Sequence, residues 1–359
     1  MVYHAAQFNR RPPRPVPDMP ASSPIDIVYL WVNGNDLEWR KKRQQAALQV
    51  SGADRDAMAV YGNVEGRFRD NDELRYSLRA LERYYPDHGH VYVVTDGQTP
   101  SWLRASNRLT LVDHRDLIPA DRLPIFDSGN IESYIHRIPS LSERFFYFND
   151  DVFFGAPLQV GDWFWEHGVY VAWSDDAVVA GQALQPDATS LENGSRLSRQ
   201  WLDQRAAQWI GAYAHTPRTF AHSPRPLLRS LLYQLEGEAA DLFARVRSTV
   251  FRSWATPTIV SDFVLRWALA HGVAKIRDYA HLYVTTGDAN QAEQLRALRA
   301  ADGALDFFCI NDTTDDAHAN DPRLANARTT LQMMFPLPSP MERNAAVPSL
   351  VTQPQRLRA

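Results

Sequence analysis

Residues 145–152, Phe-Phe-Tyr-Phe-Asn-Asp-Asp-Val, decide the fold of this chain. Four consecutive aromatic residues have strong β propensity and are typical of a buried strand covered on both faces. Asp150 and Asp151 follow at the carboxyl end of that strand, where open α/β sheets place their ligands. Adjacent carboxylates repel each other unless a cation or hydrogen-bond donors offset the repulsion, so the pair predicts a metal site. A capped strand end followed by a turn is the equally weighted alternative, because Asn and Asp are turn formers.

Strands and helices alternate on both sides of this stretch. Apolar runs predict strands at 25–32, 90–95, 109–112, 145–148, 169–173 and 307–310. Apolar periodicity and start signals predict helices at 37–48, 70–81, 131–138, 187–209, from 227 after two prolines, 259–270 and 322–334. The helix at 70 is expected to begin with a capping box of Asp70 and Glu73. This alternation predicts an α/β fold with a Rossmann-like, mostly parallel sheet flanked by helices, and a helix-rich C-terminal half that completes the site.

The 359 residues, 45% of them hydrophobic, are enough for one large domain. We predict a Pro- and Arg-rich disordered arm at 1–24, a single domain at 25–340 and a flexible tail at 341–359. Within the domain, 25–155 is expected to be the Rossmann-like half, 156–305 a mostly helical half and 306–340 a closing segment.

The composition narrows the classes of partner and compartment. A net charge of -4 argues against a nucleic-acid partner, which would require a strongly basic surface. The single cysteine, Cys309, excludes an intramolecular disulfide and fits a reducing cytosol. The N-terminal residues contain no continuous apolar segment typical of a signal peptide or membrane anchor, so we expect a cytoplasmic protein.

Five polar clusters lie at predicted element ends, at 33–34, 70–75, 130–137, 149–151 and 311–316, as expected for a site built from several loops. Helical spacing would bring Glu132 and His136 onto one face, although a local ion pair on an amphipathic helix is the favoured reading. His222, in a Pro-rich segment, is a candidate general base because imidazole titrates near neutrality, with a packed loop residue as the alternative. Arg252 is flanked by apolar residues and predicts a partly buried anion site, for which phosphate is a good ligand.

Four ordered blocks of this sequence resemble the signature regions of the Stealth family, whose members transfer hexose 1-phosphates. The blocks are residues 26–34; 69–79 with 93–103 and 131–151; 222–228 with 251–253; and 309–313. Asn33 stands where the family usually has Asp, and Asn130 is shifted after a glycine. The chain resembles the short bacterial capsule and exopolysaccharide phosphotransferases, which are related to the catalytic subunit of GlcNAc-1-phosphotransferase.

The resemblance implies that an acceptor hydroxyl attacks the β-phosphorus of a UDP-sugar, releases UMP and forms a phosphodiester. It implies Mg²⁺, with Mn²⁺ as the alternative, at Asp150 and Asp151, a saccharide or polysaccharide acceptor, and peripheral association with a capsule-assembly complex at the inner face of the membrane. Two other functions stay open: a metal-dependent glycosyltransferase that releases UDP, and a non-catalytic sugar-nucleotide-binding component of such a complex.

The resemblance also implies a role for each matching residue. Asp151 would be a catalytic carboxylate, and Glu132 would orient the acceptor or a metal-bound water. His222 is the preferred general base, and Arg252 would stabilise charge on the transferring phosphoryl group. Substrate binding is implied for a set of residues at element ends: Asn33, Gly34, Asn71, Arg75, Asn130, His136, Arg137, Asn311 and Asp312.

Overall fold

The computed structural model describes residues 24–206, 214–318 and 320–343. Almost all of the predicted arm, the end of the predicted helix 187–209 and the tail beyond 343 lie outside the described residues. The described ranges contain eleven strands and eleven α-helices.

The strands are β1 (Asp26–Leu30), β2 (Val91–Thr95), β3 (Leu109–Asp113), β4 (Arg144–Asn149), β5 (Val152–Phe154), β6 (Phe164–Trp165), β7 (Gly168–Val171), β8 (Arg225–Leu228), β9 (Ala274–Ile276), β10 (His281–Thr285) and β11 (Phe307–Asn311). The α-helices are α1 (Leu37–Gln49), α2 (Gly52–Asp56), α3 (Glu73–Tyr84), α4 (His114–Leu117), α5 (Ser128–Glu132), α6 (Ser190–Arg205), α7 (Arg229–Glu238), α8 (Ala240–Val246), α9 (Val264–Ala270), α10 (Gln291–Ala300) and α11 (Pro322–Met334).

The main sheet has the strand order β3-β2-β1-β4-β8. Its first four strands are parallel, and only β8, at the edge, runs antiparallel to its neighbour β4. Two three-stranded sheets, β10-β11-β5 and β6-β7-β9, accompany it. The predicted α/β class with a mostly parallel sheet is therefore confirmed. The C-terminal half holds α6 to α11, as expected, but also β6 to β11.

The aromatic strand β4 lies in the core, as its sequence predicts. Its four aromatic side chains are at most 1% exposed, and β1 and β8 pair with it on either side. Phe146 makes edge-to-face contacts with Phe154, Trp163 and Phe164 at centroid distances of 5.1–5.5 Å. Each such pair adds roughly 0.5–1.5 kcal/mol beyond the area it buries. This packing fixes the end of β4, where Asn149 to Asp151 emerge.

The predicted helix at 131–138 is wrong, because it divides into α5 and a separate 3-10 turn, Ile135–Arg137. Between them, the guanidinium of Arg247 donates to the hydroxyl and the carbonyl of Ser133, where a continuing helix would use the carbonyl itself. Glu132 and His136 therefore do not share a face.

The predicted capping box at Asp70 is also wrong. Helix α3 begins at Glu73, and its N-cap residue, Asp72, has a left-handed backbone with φ of 68°. The Glu73 carboxylate instead accepts from the backbone and side-chain nitrogens of Asn71 at 2.6 and 2.9 Å. Asp70 accepts from the Asp72 backbone at 3.0 Å and forms a local turn.

Two further helix predictions shift at their starts. Residues 225–228 form strand β8 rather than the first turn of a helix, with Pro226 opposite Phe146 on an edge strand, where a missing N–H is tolerated. Helix α7 begins at Arg229, whose guanidinium donates to three carbonyls of the 136–141 segment. The predicted helix at 259–270 opens with a π-helical turn, Ile259–Phe263, before α9.

Candidate active site

An open pocket of about 330 Å³ lies at the carboxyl ends of β1, β2 and β4. Parallel strands bring their carboxyl ends to one edge of a sheet, which is where such sheets bind ligands. Large apolar groups line the pocket, among them Trp31, Trp39 and Phe126, together with the polar residues Asn149, Asp150 and Asp151. Glu132, His222, Arg252 and Asn311 also reach the pocket, so five segments distant in sequence meet there.

Asp151 is held by donors on both carboxylate oxygens. Its Oδ1 lies 3.4 Å from Nε2 of His222, and its Oδ2 accepts from Nδ2 of Asn311 at 2.9 Å and from Sγ of Cys309 at 3.4 Å. Burial opposes ionisation, but the charge and hydrogen bond of His222, with those other donors, bring the pKa of Asp151 below its usual value. Asp151 is therefore a stable anion beside an imidazole.

Asp150 has the opposite environment. Among the described residues, no other residue donates a hydrogen bond to its carboxylate and no cation pairs with it. Burial raises its pKa well above the usual value, and the nearby carboxylates of Asp151, Glu73 and Asp70 raise it further. The same causes raise the pKa of Glu73 to about 8 and that of Asp70 to about 6.

This environment fits a hard divalent cation. Mg²⁺ prefers oxygen ligands and is commonly held by one or two carboxylates together with substrate phosphates. Asp150 offers unengaged oxygens next to uncompensated negative charge, whereas the group formed by Asp151, His222 and Cys309, whose ligand atoms lie within 4.8 Å of one another, includes nitrogen and sulfur donors that suit softer ions. Asp150 is thus the better of the two predicted magnesium ligands.

Two side chains, Asn149 and Asp151, lie within hydrogen-bonding reach of the same nitrogen of His222. Its Nε2 lies 3.0 Å from Nδ2 of Asn149 and 3.4 Å from Oδ1 of Asp151. The hydroxyl of Tyr147, 2.6 Å from Oδ1 of Asn149, turns the amide nitrogen toward the imidazole. Nε2 accepts that amide hydrogen when unprotonated and faces the carboxylate when protonated. The site can therefore accommodate both protonation states of the ring.

Arg252 lines the pocket beside buried carboxylates. Its Nε is 3.6 Å from Oδ1 of Asp127, and it donates to the hydroxyl of Ser128, at the start of α5. Glu132, at the end of α5, is 2% exposed, and its Oε1 lies 2.9 Å from the Tyr147 hydroxyl oxygen. Burial raises the pKa of Glu132, and the charge of Arg252 offsets part of that increase.

Sequence reasoning missed several charged residues of the pocket, among them Asp127 and Arg67. Asp127 is 1% exposed. Its carboxylate caps α5 by accepting a hydrogen bond from the backbone N–H of Gly129, and it also accepts one from the Thr249 hydroxyl at 2.8 Å. The Asp-Ser-Gly signal for a helix start was available at residues 127–129. Arg67 lies on a 3-10 turn, Glu65–Phe68, between the predicted helices at 37–48 and 70–81, so no periodicity marked it.

Seven of the nine predicted substrate-binding residues do not line this pocket, and four of the seven lie between residues 33 and 75. Asn33 exchanges hydrogen bonds with the side chain of Gln98, and Gly34 contacts Phe68 so closely that a Cβ would lie 2.2 Å from its carbonyl oxygen. Arg75 pairs with Glu342 at 2.6 Å. Asn71 binds Glu73 and, with Gly34, lines a separate polar cavity. Each of them has a structural partner that accounts for its position.

The other predicted binding residues divide between structural contacts and the pocket. Asn130 is fully buried and donates to the Thr249 carbonyl at 2.7 Å, and His136 and Arg137 both pair with Glu236, away from the pocket. Asn311 reaches the pocket through Asp151. Asp312 lines it too, but its oxygens are taken by Arg69 and Thr314.

Three family models match the sequence. Stealth protein conserved region 1 matches residues 23–51, conserved region 2 matches 67–172 and conserved region 4 matches 297–349, together just over half of the chain. Asp127, Glu132, Asp150 and Asp151 lie in the second of these regions and Asn311 in the third, whereas His222 and Arg252 lie between them.

Curated relatives are similar over most of the chain. An exopolysaccharide phosphotransferase of Streptomyces coelicolor is 36% identical over 323 residues, which is 89% of this chain and 52% of the relative. The exopolysaccharide phosphotransferase CpsY of Mycobacterium tuberculosis is 35% identical over 326 residues, which is 90% of this chain and 58% of the relative. The chain therefore spans about half the length of these relatives.

Among solved structures, the galactosyltransferase LgtC with donor and acceptor sugar analogues aligns over 90% of this chain and 98% of its own, with 11% identity and a TM-score of 0.38. A likeness at that level says nothing of the reaction.

Proposed function

The chain belongs to the Stealth family, and from that premise we propose that it transfers a hexose 1-phosphate, such as GlcNAc-1-phosphate, from a UDP-sugar to a hydroxyl of a saccharide acceptor. The products would be a phosphodiester and UMP, in the synthesis of a capsule or exopolysaccharide. The names of the relatives support sugar-phosphate transfer in exopolysaccharide synthesis. The donor and the acceptor are part of the proposal.

One observation carries the proposal: the Asp151–His222 pair and the guanidinium of Arg252 line the same pocket. Phosphoryl transfer needs an oriented nucleophile and cations around the transferring group more than it needs covalent catalysis. An imidazole next to a stable carboxylate can take a proton and keep the resulting charge. The guanidinium supplies the positive charge at a phosphate.

In the proposed reaction, the acceptor hydroxyl attacks the β-phosphorus while His222 takes its proton at Nε2. The bond between the β-phosphorus and the oxygen that bridges it to the α-phosphorus breaks, and that oxygen leaves with UMP. Asp151 stabilises the imidazolium, and Arg252 stabilises charge on the transferring phosphoryl group. The buried Glu132 contacts the hydroxyl of Tyr147, which orients the Asn149 amide beside His222. The bond between the sugar and its phosphate stays intact.

Asp150, with Asp151 next to it, would hold the magnesium ion. When bound, Mg²⁺ would neutralise part of the diphosphate charge and offset the repulsion among the carboxylates at this edge of the sheet. Mn²⁺, which also accepts oxygen ligands, is the alternative.

The released nucleotide tests this function. The purified protein is incubated with a panel of UDP-hexoses, Mg²⁺ and oligosaccharide acceptors, and the products are identified by chromatography, mass spectrometry and phosphorus NMR. We expect UMP and a phosphodiester. UDP with a new glycosidic bond would show a glycosyltransferase instead. Tight donor binding without turnover on any acceptor would show a non-catalytic binding component.

The cellular location is a separate proposal. No helix in the described parts of the chain is both long enough and apolar enough to cross a membrane. A cytoplasmic location, with peripheral attachment to a capsule-assembly complex at the membrane, stays a prediction.

A further inference from the structure

Arg67 is a pocket cation without a carboxylate partner among the described residues. The polar contact that its guanidinium makes there is one long hydrogen bond, from Nη1 to the carbonyl of Tyr61 at 3.5 Å. Its neighbours in sequence are different, because Arg69 pairs with Asp312 and also donates to Thr314 and to the Ala317 carbonyl. Most of the donors of Arg67 are therefore available to a ligand.

The electrostatic environment of Arg67 lacks enough negative charge. Burial and repulsion from Arg252 lower the pKa of Arg67 to about 9, although Asp127, Glu132 and Asp151 act in the opposite direction. Arginine keeps its proton in proteins, so this lowering means that a charged guanidinium stays in a poorly compensated place. An anion bound between the two arginines would remove the repulsion and supply the missing hydrogen bonds.

The place of Arg67 in the pocket indicates which anion this is. Its guanidinium lies 5.8 Å from the ring centre of Phe68, which packs with Trp39 in an aromatic cluster that lines the pocket. Flat aromatic surfaces suit a nucleobase, whereas the acceptor must approach His222. Arg252 is linked to the His222 side of the pocket, because its charge acts on Tyr147, whose hydroxyl contacts the Asn149 amide beside His222. With the base on the aromatic cluster, the phosphate joined to the nucleoside lies beside Arg67 and the phosphate joined to the sugar lies nearer Arg252.

We propose that Arg67 binds the phosphate that stays on the departing nucleotide, while Arg252 faces the phosphoryl group that is transferred. This inference rests on the proposed function and divides the two cations between its two phosphates. Arg67 thereby becomes a substrate-binding residue whose charge also stabilises the leaving group.

The test compares the affinities of three probes, uridine, UMP and UDP, measured by calorimetry on full-length protein without divalent metal. Arg67→Gln should weaken UMP binding about 10- to 100-fold and leave uridine binding unchanged, because a charge-assisted hydrogen bond is lost while the aromatic wall remains. Arg67→Lys should recover part of the loss. Arg252→Gln should weaken UDP more than UMP. Arg299→Gln, the same change at an exposed helical position, is the control and should bind all three probes normally.

Three results would overturn the inference. These are UMP affinity within twofold of normal in Arg67→Gln, an equal loss of uridine and UMP affinity in that variant, and wild-type protein that binds UMP no better than uridine. The proposed function fails on other evidence, namely release of UDP in turnover by the wild type. The two failures can therefore be told apart.

Discussion

Basic side chains gather near carboxylates both in the pocket and around Glu236, but the Glu236 cluster pairs its charges closely, whereas several charges of the pocket are only loosely paired. Glu236 accepts from His136 at 2.8 Å and pairs with Arg137 and Arg247, which together hold its pKa below the usual value. In the pocket, Arg252 is 3.6 Å from its nearest carboxylate oxygen, and Asp150 has no cation within the described residues.

This difference separates structural charges from functional ones. Buried charges cost free energy unless they are paired and hydrogen-bonded, so incomplete pairing persists where a ligand completes it. Glu342 belongs to the closely paired kind, because it binds Arg75 and Arg79. We therefore expect substitutions in the pocket to affect turnover and ligand binding, and substitutions in the paired clusters to affect the stability of the fold.

The largest effect is expected at His222. His222→Ala should lower the turnover number by about two to four orders of magnitude, because the acceptor hydroxyl loses its general base. The thermal melting temperature should change little, since the ring is partly exposed. His167→Ala removes an exposed imidazole and serves as the control. Near-normal steady-state turnover in His222→Ala would remove this residue from the chemical step.

A loss of stability is expected at Glu342. Arg79 is 4% exposed and donates to both oxygens of Glu342, at 2.6 and 2.8 Å. Glu342→Gln leaves that guanidinium buried without its counterion, which should lower the free energy of unfolding in urea by roughly 3–5 kcal/mol. The exposed pair of Glu38 with Lys41 provides the control, and Glu38→Gln should leave the free energy of unfolding nearly unchanged. An equal loss in both variants would contradict the distinction drawn here.

Asp150 is expected to govern the response to metal. Because Mg²⁺ would bind the folded protein only, wild-type protein should melt at a higher temperature when the ion is added, with about 2.7 kcal/mol gained at a hundredfold excess over Kd. Asp150→Asn should lose most of this gain. Asp203→Asn, at an exposed position of α6, should keep it. A full magnesium response in Asp150→Asn would exclude this carboxylate as the ligand.

A smaller effect is expected in the pH dependence of stability. Burial raises the pKa of Glu73 from 4.5 to about 8. Between these two pH values the folded protein therefore binds more protons than the unfolded chain. Stability should fall as the pH rises through this range. Glu73→Gln should reduce the difference between the free energies of unfolding at pH 5 and at pH 8 by at least about 1 kcal/mol. The control is Glu293→Gln, at an exposed position. If the stability of Glu73→Gln depended on pH as strongly as that of the control, the titrating group would be another residue.

Much of the fold follows from local sequence patterns. Helix α11 has the predicted bounds, and β4 lies within one residue of its prediction at each end, because capping signals and aromatic runs act locally. The predicted helix at 131–138 fails because Arg247, more than a hundred residues away, binds the carbonyl of Ser133. Local periodicity contains no information about such a partner.

Prediction of the site is limited in the same way, because contacts between residues distant in sequence leave no local pattern. The structure brings Glu132, Asp151, His222 and Arg252 to one pocket, as the resemblance led us to expect, although their roles stay predictions. For Arg75 and His136, sequence reasoning could not foresee partners at 342 and 236. Arg67 was missed for the converse reason, since its significance lies in having no carboxylate partner in the described parts of the chain, which only the assembled pocket reveals.

Phosphotransfer breaks the bond between the two phosphates of the donor, whereas glycosyl transfer breaks the bond between the sugar and its phosphate. A UDP-hexose labelled with carbon-13 at the anomeric carbon, given to the protein with Mg²⁺ and an acceptor, reports this directly by NMR. We expect UMP and a product whose labelled carbon is still coupled to phosphorus. Release of UDP with a labelled carbon that has lost its phosphorus coupling would contradict it.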